Sequence, residues 1–282
     1  MIAWALLSCA LAGCAEAPYS ALDAKAPEWQ LVFSDEFDGK GRPDRRKWKS
    51  KEYNRNPSPD GPDGWWEADN AFLDGEGHLV LRTSVIKNRN WLEDDDEYDY
   101  ASAMVTTEGR FEQAFGRYEA RVQLPETPGW WAAFWLFSDS VHNEDGSGRD
   151  GTEIDIAEFF GWTDRVHNAL HWDGYGRAHQ ATSTDTITPG IRKGWHTFAL
   201  EWYPDEYVFF VDGKETWRTS AGGVCQTPLR VKLSSEVATV RTTTNEWWAN
   251  KPDPSQFPDD VVFDWVRVYE RVPEPEPAKP DS

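Results

Sequence analysis

The fold of this chain is decided by one stretch, Gly151-Thr-Glu-Ile-Asp-Ile-Ala-Glu-Phe-Phe-Gly161. Isoleucine alternates there with acidic residues, and a two-residue period is typical of a β-strand with one apolar face. Glu153 and Asp155 share the opposite face. No segment of the chain keeps an apolar 3.6-residue period long enough to predict a helix. The sequence therefore predicts an all-β fold.

A third carboxylate follows in the same strand. Strict alternation turns Glu158 away from the acidic face, whereas one extra residue at Ile156 or Ala157 returns it to that face. We therefore expect a β-bulge at one of these two positions. With the bulge, three carboxyl groups line one side of one strand.

Other runs rich in β-branched and aromatic residues are separated by turn residues. The pair Asp212-Gly213 predicts a tight hairpin, and Tyr203-Pro-Asp-Glu206 a second reversal. Many strands joined by such turns favour a sandwich or a barrel. The predicted strands are Gln30–Phe33, His78–Thr83, Arg117–Leu124, Trp131–Phe137, Glu153–Phe159, His196–Tyr203, Tyr207–Val211, Arg230–Ser234 and Val261–Tyr269.

Paired carboxyl groups are the catalytic groups of glycoside hydrolysis. A retaining enzyme needs one carboxylate to attack the anomeric carbon and one carboxylic acid to protonate the leaving oxygen. Crowding of like charge raises at least one pKa, and we assign the acid to Glu158. Asp155 can pass a hydrogen bond or a proton between the two glutamates. The alternative is a solvated acidic face without catalysis, although such a face more naturally includes Lys, Thr and Ser.

Four motifs in order carry a family resemblance. Glu153-Ile-Asp-Ile-Ala-Glu158, Gly129-Trp-Trp131-Ala-Ala-Phe-Trp135, Gly116-Arg-Tyr-Glu-Ala-Arg121 and the run Val261–Tyr269 resemble glycoside hydrolase family 16, in its bulge-containing, laminarinase-like branch. The match spans about residues 28–271. It implies a β-jelly-roll sandwich of two antiparallel sheets with a concave substrate cleft.

The resemblance also implies roles. Family members use the first glutamate as nucleophile, the last as acid/base and the aspartate as helper, which carries over to Glu153, Glu158 and Asp155. No cofactor is required for this chemistry. The activity implied is endo-acting hydrolysis of a β-linked polysaccharide with retention, by one chain acting as a monomer.

Seventeen tryptophans offer flat apolar faces on which sugar rings stack. Trp131 and Trp135 share strand parity and align with cleft residues of the family, so we expect substrate contacts from them. Trp130 and Phe134 then face the other sheet. Trp247 and Trp248 can also form a wall on which sugars stack. The alternative is that their rings only hold a loop against the domain.

Two further residues are candidate substrate ligands by resemblance. His171, in Asn168-Ala-Leu-His-Trp-Asp173, resembles a cleft histidine of the bulge-containing branch, and its acidic neighbours favour the charged form. A structural histidine is the alternative. Asn70 resembles an asparagine that precedes a strand in the family.

A structural calcium ion on the convex side is the one metal that the resemblance implies. Its ligands would be backbone oxygens at Glu36 and Gly77 together with the side chain of Asp264. Ligation by oxygen alone is what calcium favours. Alternatively, Asp264 pairs with a basic neighbour.

The sequence says less about which polysaccharide is the substrate than about the reaction. The formal net charge of -20 argues against nucleic acid and favours an uncharged glycan, because a sulfated one would need a local Arg or Lys patch. We expect β-1,3-glucan of laminarin type. Ala132, Met104 and Lys232-Leu-Ser-Ser-Glu236 depart from the glucanase pattern, so a β-galactan (β-1,3-galactan, agarose or carrageenan) stays an alternative, as does a non-catalytic carbohydrate-binding sandwich.

The ends of the chain differ from the catalytic domain expected at residues 28–271. Residues 1–13 resemble a lipoprotein signal peptide, and Leu11-Ala-Gly-Cys14 resembles a bacterial lipobox, so we expect lipidation of Cys14 and anchoring in the cell envelope. The alternative is a plain signal peptide and a soluble secreted protein. Residues 14–27 read as a tether, and residues 272–282 as a disordered Pro/Glu tail. Cys225 is left without a disulfide partner and reads as a buried apolar residue rather than a nucleophile.

Overall fold

The computed structural model describes residues 29–55, 64–86, 99–125, 127–160, 163–237 and 253–272. These residues form β-strands and short 3-10 helices, the helices spanning Ala68–Asn70, Asp139–His142 and Pro254–Gln256. The strands are β1 (Trp29–Asp35), β2 (Lys40–Gly41), β3 (Lys49–Ser50), β4 (Tyr53–Asn54), β5 (Trp65–Trp66), β6 (Ala71–Asp74), β7 (Leu79–Ile86), β8 (Asp99–Thr106), β9 (Gly116–Gln123), β10 (Trp130–Phe137), β11 (Glu153–Phe160), β12 (Arg165–Trp172), β13 (Gln180–Ile187), β14 (Trp195–Trp202), β15 (Tyr207–Val211), β16 (Lys214–Thr219), β17 (Arg230–Val237) and β18 (Asp259–Arg271).

Two antiparallel sheets carry most of these strands. The cleft sheet has the order β13-β12-β11-β10-β17-β8-β3. The back sheet has the order β16-β15-β14-β9-β18-β7-β6-β2, with β1 beside the second half of β18. Strands β7 and β8 also pair with each other and join the two sheets at one edge. This is the predicted jelly-roll sandwich.

The core lies between the two sheets. Apolar residues of β10 and β11 face those of β9, β14 and β18 in one continuous cluster. The rings of Phe159 and Phe198 meet edge to face across the sheets, 4.9 Å apart. Trp130 and Phe134 are each 1% exposed and belong to this core, as their strand parity predicted. Burial of each such ring stabilises the fold by about 1.5–3 kcal/mol.

The predicted bulge in β11 is present. Trp135 of β10 lies opposite Asp155, and the preceding Phe134 lies opposite Ala157, so Ile156 is the extra residue. Both Ile156 and Ala157 therefore face the core. Asn168 of β12 donates its side-chain N–H to the carbonyl oxygen of Ile156 over 2.6 Å, a bond that stabilises the bulge.

All nine predicted strands are present, and their ends differ from the predicted ends by up to three residues. The Asp212-Gly213 pair forms the two-residue hairpin between β15 and β16, with φ of 49° and 73° at its central residues. The second reversal closes with a bond from the amide of Tyr203 to the carbonyl of Glu206. Strands β8, β12, β13 and β16 and the short strands β2 to β6 were not predicted.

Several predictions concern residues outside the described ranges or next to them. Cys14, the tether, the tail, Trp247 and Trp248 all lie outside the described residues. Cys225 is a free, fully buried thiol packed in the core, which agrees with its apolar interpretation. In the described part of the chain, no helix has the length and apolar character that a membrane crossing needs.

Candidate active site

A cleft of about 320 Å³ opens on the face of the cleft sheet that points away from the core. The bulge brings all three carboxylates of β11 into it. Side chains of β10, β17, β4, β5 and one loop complete its walls. The lining residues are Tyr53, Arg55, Trp66, Trp131, Ala133, Trp135, Phe137, Glu153, Asp155, Glu158, Tyr175, Lys232, Ser234 and Glu236.

Glu158 is the carboxyl group best suited to carry a proton. It is 6% exposed, and burial raises its pKa to about 8, with the nearby acids Glu153 and Glu236 adding to the effect. Trp131 donates its indole N–H to Oε1 of Glu158 over 2.8 Å, which acts against this rise. Glu158 is therefore mostly protonated at neutral pH and held in one orientation.

Several neighbours of Glu153 favour the ionised form of its carboxyl group. Burial raises the pKa of this carboxyl group too, but a hydrogen bond from Tyr175 and the charges of Lys232 and Arg55 act against the rise. The Tyr175 hydroxyl donates to Oε2 of Glu153 over 2.5 Å. The pKa of Glu153 stays raised because burial is the larger influence, but these three groups favour its ionised form and make it the candidate carboxylate of the site.

Asp155 lies between the two glutamates and is only 3% exposed. Burial and the charges of Glu158 and Glu153 raise its pKa well above the usual value. No described residue donates a hydrogen bond to its Oδ2 atom, and the nearest cationic candidate is Nε2 of His171 at 3.4 Å. Asp155 therefore holds a proton beside the nucleophilic position.

His171 lies on β12 beside Asp155, but it is not charged as the sequence suggested. Its ring stacks on His179 with 5.2 Å between ring centres, and Nδ1 of His171 lies 3.0 Å from Nε2 of His179. That hydrogen bond needs one bare nitrogen. Burial and the imidazoles of His179 and His167 lower the pKa of His171 to about 4, so acidic neighbours do not decide its charge.

The predicted sugar-binding residues Trp131 and Trp135 both line the cleft. Trp135 donates its indole N–H to Oγ of Ser234 over 3.1 Å, which fixes the ring. The ammonium group of Lys232 lies over the same ring. Each indole thus has its polar edge satisfied and an apolar surface at the cleft.

Several cleft residues were not predicted. Arg55 forms two 3.1 Å bonds with the carboxylate of Glu236 and lies over the ring of Trp66, 4.1 Å from its centre. A signal for part of this wall existed, because Lys232, Ser234 and Glu236 occupy every second position of β17, and the positions between them are Leu233 and Ser235. Tyr175 follows β12 in a loop, where no periodicity marks it.

Asn70 is placed differently from its predicted role. Its side-chain nitrogen donates to the backbone carbonyls of Arg82 and Ala101, at 3.2 and 2.8 Å. These bonds connect the region before β6 to strands β7 and β8. Asn70 does not line the cleft, and we interpret it as a structural residue.

The one side chain proposed as a calcium ligand is already paired with a cation. The carboxylate of Asp264 pairs with Arg121 at 2.5 Å. The carboxylate of Glu36 pairs with Arg267 at 2.8 Å, but the ligand proposed at that position is a backbone oxygen. A cation bound at Asp264 would lie beside the guanidinium group of Arg121, and like charge there is unfavourable. The alternative reading, in which Asp264 pairs with a basic neighbour, describes this arrangement.

A protonated carboxyl group beside an ionised one, in the cleft of a β-sandwich walled by indoles, defines the class: this is a glycoside hydrolase acting on O-glycosyl bonds. Residues 64–267 match the model of glycosyl hydrolases family 16, and the chain belongs to that family. This result confirms the resemblance seen in its motifs.

Relatives of known name are similar over most of the chain. A β-glucanase of Rhodothermus marinus is 30% identical over 266 residues, which cover 88% of this chain and 87% of the relative. The structure of a laminarinase from Rhodothermus marinus is 29% identical with a TM-score of 0.70, covering 88% of this chain and all of that one. The laminarinase catalytic domain of Thermotoga maritima is 28% identical with a TM-score of 0.67, covering 87% and 100%.

Proposed function

We propose that this enzyme cleaves internal bonds of a β-1,3-glucan of laminarin type by double displacement, with retention at the anomeric carbon. The observation that carries the proposal is the pairing of a carboxyl group that keeps its proton near neutral pH, Glu158, with a carboxylate whose ionised form is hydrogen-bonded, Glu153. The similar β-glucanase and laminarinases support the choice of glucan.

In the first step, Glu153 attacks the anomeric carbon as Glu158 gives its proton to the glycosidic oxygen. The bond from the anomeric carbon to that oxygen breaks, and a glycosyl ester of Glu153 forms. Tyr175 donates to Oε2 of Glu153, so Oε1 is the oxygen available for attack. Trp131 holds Glu158 toward the leaving oxygen.

In the second step, Glu158 has become a carboxylate and accepts a proton from water. That water attacks the anomeric carbon, the ester bond to Glu153 breaks, and Glu158 is protonated again. Asp155 assists both steps, because its protonated side chain can donate to Glu153 when the negative charge returns there. His171 positions Asp155 as a neutral residue.

The sugar rings bind against the indoles of Trp131 and Trp135. Pyranose rings present axial C–H groups that pack on flat aromatic faces. Because these side chains lie on the face of a sheet, a chain can enter along the cleft and be cut at internal bonds. Oligosaccharides of intermediate length should therefore appear first, whereas early release of monosaccharide alone would contradict endo action.

A substrate panel tests the choice of glycan. Purified enzyme is incubated with laminarin, lichenan, agarose, carrageenan and β-1,3-galactan, and new reducing ends are counted. Laminarin should be cut fastest. Faster cleavage of a galactan would identify the alternative substrate, and inactivity on every glycan together with binding would favour the non-catalytic sandwich.

We infer that the protein is exported, lipidated at Cys14 and anchored in the bacterial cell envelope. The run Leu11-Ala-Gly-Cys14 supports this, because small residues before a cysteine are typical of a lipobox. Labelled fatty acid should enter the wild type and not Cys14→Ser. A soluble, unlabelled wild-type protein would instead indicate secretion.

We also infer that the enzyme acts as a monomer. The described residues of one chain supply both glutamates and the indole walls of the cleft, which supports this inference. Sedimentation of the purified protein at working concentration should give a mass near 32.3 kDa, the mass of one chain. A stable dimer whose dissociation abolishes activity would contradict the inference.

A further inference from the structure

Lys232 is a buried cation within the substrate cleft. It lies on β17 opposite Trp135 of β10 and is 8% exposed. Its ammonium nitrogen lies 3.8 Å from the ring centre of Trp135 and 4.0 Å from that of Phe137. The two aromatic rings therefore hold the charge in place at the wall of the cleft.

The basic neighbours of Lys232 have carboxylate partners, but no carboxylate among the described residues pairs with Lys232. Arg55 pairs with Glu236 at 3.1 Å, and Arg230 pairs with Asp139 at 2.7 Å. In the part of the chain that the structure describes, Lys232 forms no ion pair and donates no hydrogen bond; its recorded contacts are the two rings. Its three N–H groups are therefore available to a ligand in the cleft.

An ammonium group in this position is costly without an anion. Burial lowers the pKa of Lys232 to about 7, and the positive charges of Arg230, Arg55 and Lys51 act in the same direction, against the attraction of Glu153. A ligand oxyanion would supply both the missing charge and the missing hydrogen-bond acceptors. In a chain of net charge -20, such a site is a local exception.

We propose that Lys232 recognises an acidic substituent, a sulfate ester or a carboxylate, on a sugar bound beside Glu153. The natural substrate is then a β-1,3-glucan that carries such groups on some of its sugars. This inference rests on the proposed function, because it assumes that the cleft binds a polysaccharide. An acidic glycan needs a local basic group, which the sequence did not reveal. Lys232 is such a group, because the pairing of β17 with β10 brings it into the cleft.

Matched substrates test the proposal. Laminarin is compared with laminarin sulfated at a low level on its primary hydroxyls and with laminarin oxidised there to the uronate; agarose and 6-sulfated agarose form a second pair. The quantity compared is the ratio of kcat/KM for the acidic and the neutral member of a pair. Wild type should favour an acidic member by about tenfold or more, as expected for a desolvated charge pair.

Lys232→Met removes the ammonium group and keeps an unbranched side chain on the two rings. The ratio should fall to about one. Because Lys232 also favours the ionised form of Glu153, kcat/KM on the neutral member should fall as well, so the ratio and not either single rate is the test. Lys232→Arg should keep most of the ratio. The matched control is Lys51→Met, which removes a nearby positive charge outside the cleft lining and should leave the ratio unchanged.

The outcomes separate this proposal from the proposed function. An equal loss on both members of a pair in Lys232→Met would show that Lys232 only tunes Glu153, and it would overturn the proposal. So would a wild-type ratio near one. If neither backbone is cut, the proposed function fails, and binding of the same acidic and neutral oligosaccharides, compared in wild type and Lys232→Met by affinity electrophoresis, decides the role of Lys232. The sulfate and uronate arms show which oxyanion fits.

Discussion

Glu119 on the back sheet and Asp155 on the cleft sheet are both almost completely buried, with 0% and 3% of their surface exposed. Arg117 donates to Glu119 over 3.0 Å and pairs with Glu201 at 2.7 Å, so each acid faces a cation. Asp155 instead lies between two glutamates and has no Arg or Lys partner among the described residues.

The two regions show how the same residue types serve different purposes. A buried carboxylate opposite an arginine is neutralised, and removing the partner leaves an uncompensated charge. Buried carboxyl groups placed together have spread pKa values, which gives a proton donor and a nucleophile at one pH. The cleft therefore favours activity over stability, whereas the back sheet does the reverse.

The largest expected effect comes from the cleft. Glu153→Gln and Glu158→Gln should each lower kcat on polysaccharide by about 10³-fold or more, because each removes an essential group. Neither should lower the melting temperature, since glutamine keeps the size of the side chain and relieves the repulsion among the three carboxyl groups of the cleft. Loss of folding in both variants, seen by circular dichroism, would contradict the separation of activity from stability.

The stability of the wild type should also depend on pH through Glu158. Its pKa is raised to about 8 in the folded state, so the protonated form stabilises the fold at lower pH, and this contribution is lost as pH rises through about 8. Glu158→Gln cannot ionise. Between pH 7 and pH 9, about one unit either side of that pKa, its melting temperature should therefore fall less than that of the wild type.

The back sheet should show the second largest effect. Arg117→Met leaves the buried Glu119 and the partly buried Glu201 without their cation and should lower the free energy of unfolding by about 3–5 kcal/mol in urea denaturation. The control is Arg218→Met, whose two ion pairs are exposed and should contribute no measurable stability. Equal effects of the two variants would remove the contrast between the sheets.

A smaller effect is expected on the pH profile. For the wild type, kcat/KM should fall at high pH as Glu158 loses its proton near pH 8, and at low pH as Glu153 gains one above its ordinary value of 4.5. Trp131→Phe removes a hydrogen bond that favours ionised Glu158. Its alkaline limb should move to higher pH, with kcat/KM lower by about tenfold. An alkaline limb moved to lower pH would contradict this role.

The smallest effect is expected for metal ions. Because the carboxylate of Asp264 is engaged by Arg121, neither EDTA nor added calcium should change the melting temperature. A rise with calcium that Asp264→Asn abolishes would show that calcium displaces Arg121 and would restore the metal prediction.

The sequence predicts the regular part of the fold and the catalytic carboxylates. Apolar alternation and turn residues identify nine strands and the hairpin at Asp212-Gly213. The bulge follows from the need to align Glu158 with the other acids. Strand β12 was missed because Asn168, 1% exposed, interrupts its apolar face in order to bond the bulge carbonyl of Ile156.

The rest of the site depends on tertiary contacts. Tyr175 reaches Glu153 from a loop that is 22 residues further along the chain, and no local pattern predicts that contact. The charge of His171 was predicted wrongly, because its stacking partner His179 and the burial of its ring outweigh the acids nearby. The alternation of side chains along β17 could have placed Lys232 in the cleft. It could not have shown that Lys232 has no carboxylate partner among the described residues.

The central claim is the division of roles between Glu153 and Glu158, and azide tests it with an activated aryl β-glycoside. Glu158→Ala can still form the glycosyl ester, because the leaving group needs no proton, so azide should give the β-azide with retained configuration. Glu153→Ala has no nucleophile, so azide attacks the substrate directly and should give the inverted α-azide. The opposite pairing of variant and product would reverse the two roles, and an inverted product from the wild-type enzyme would contradict double displacement.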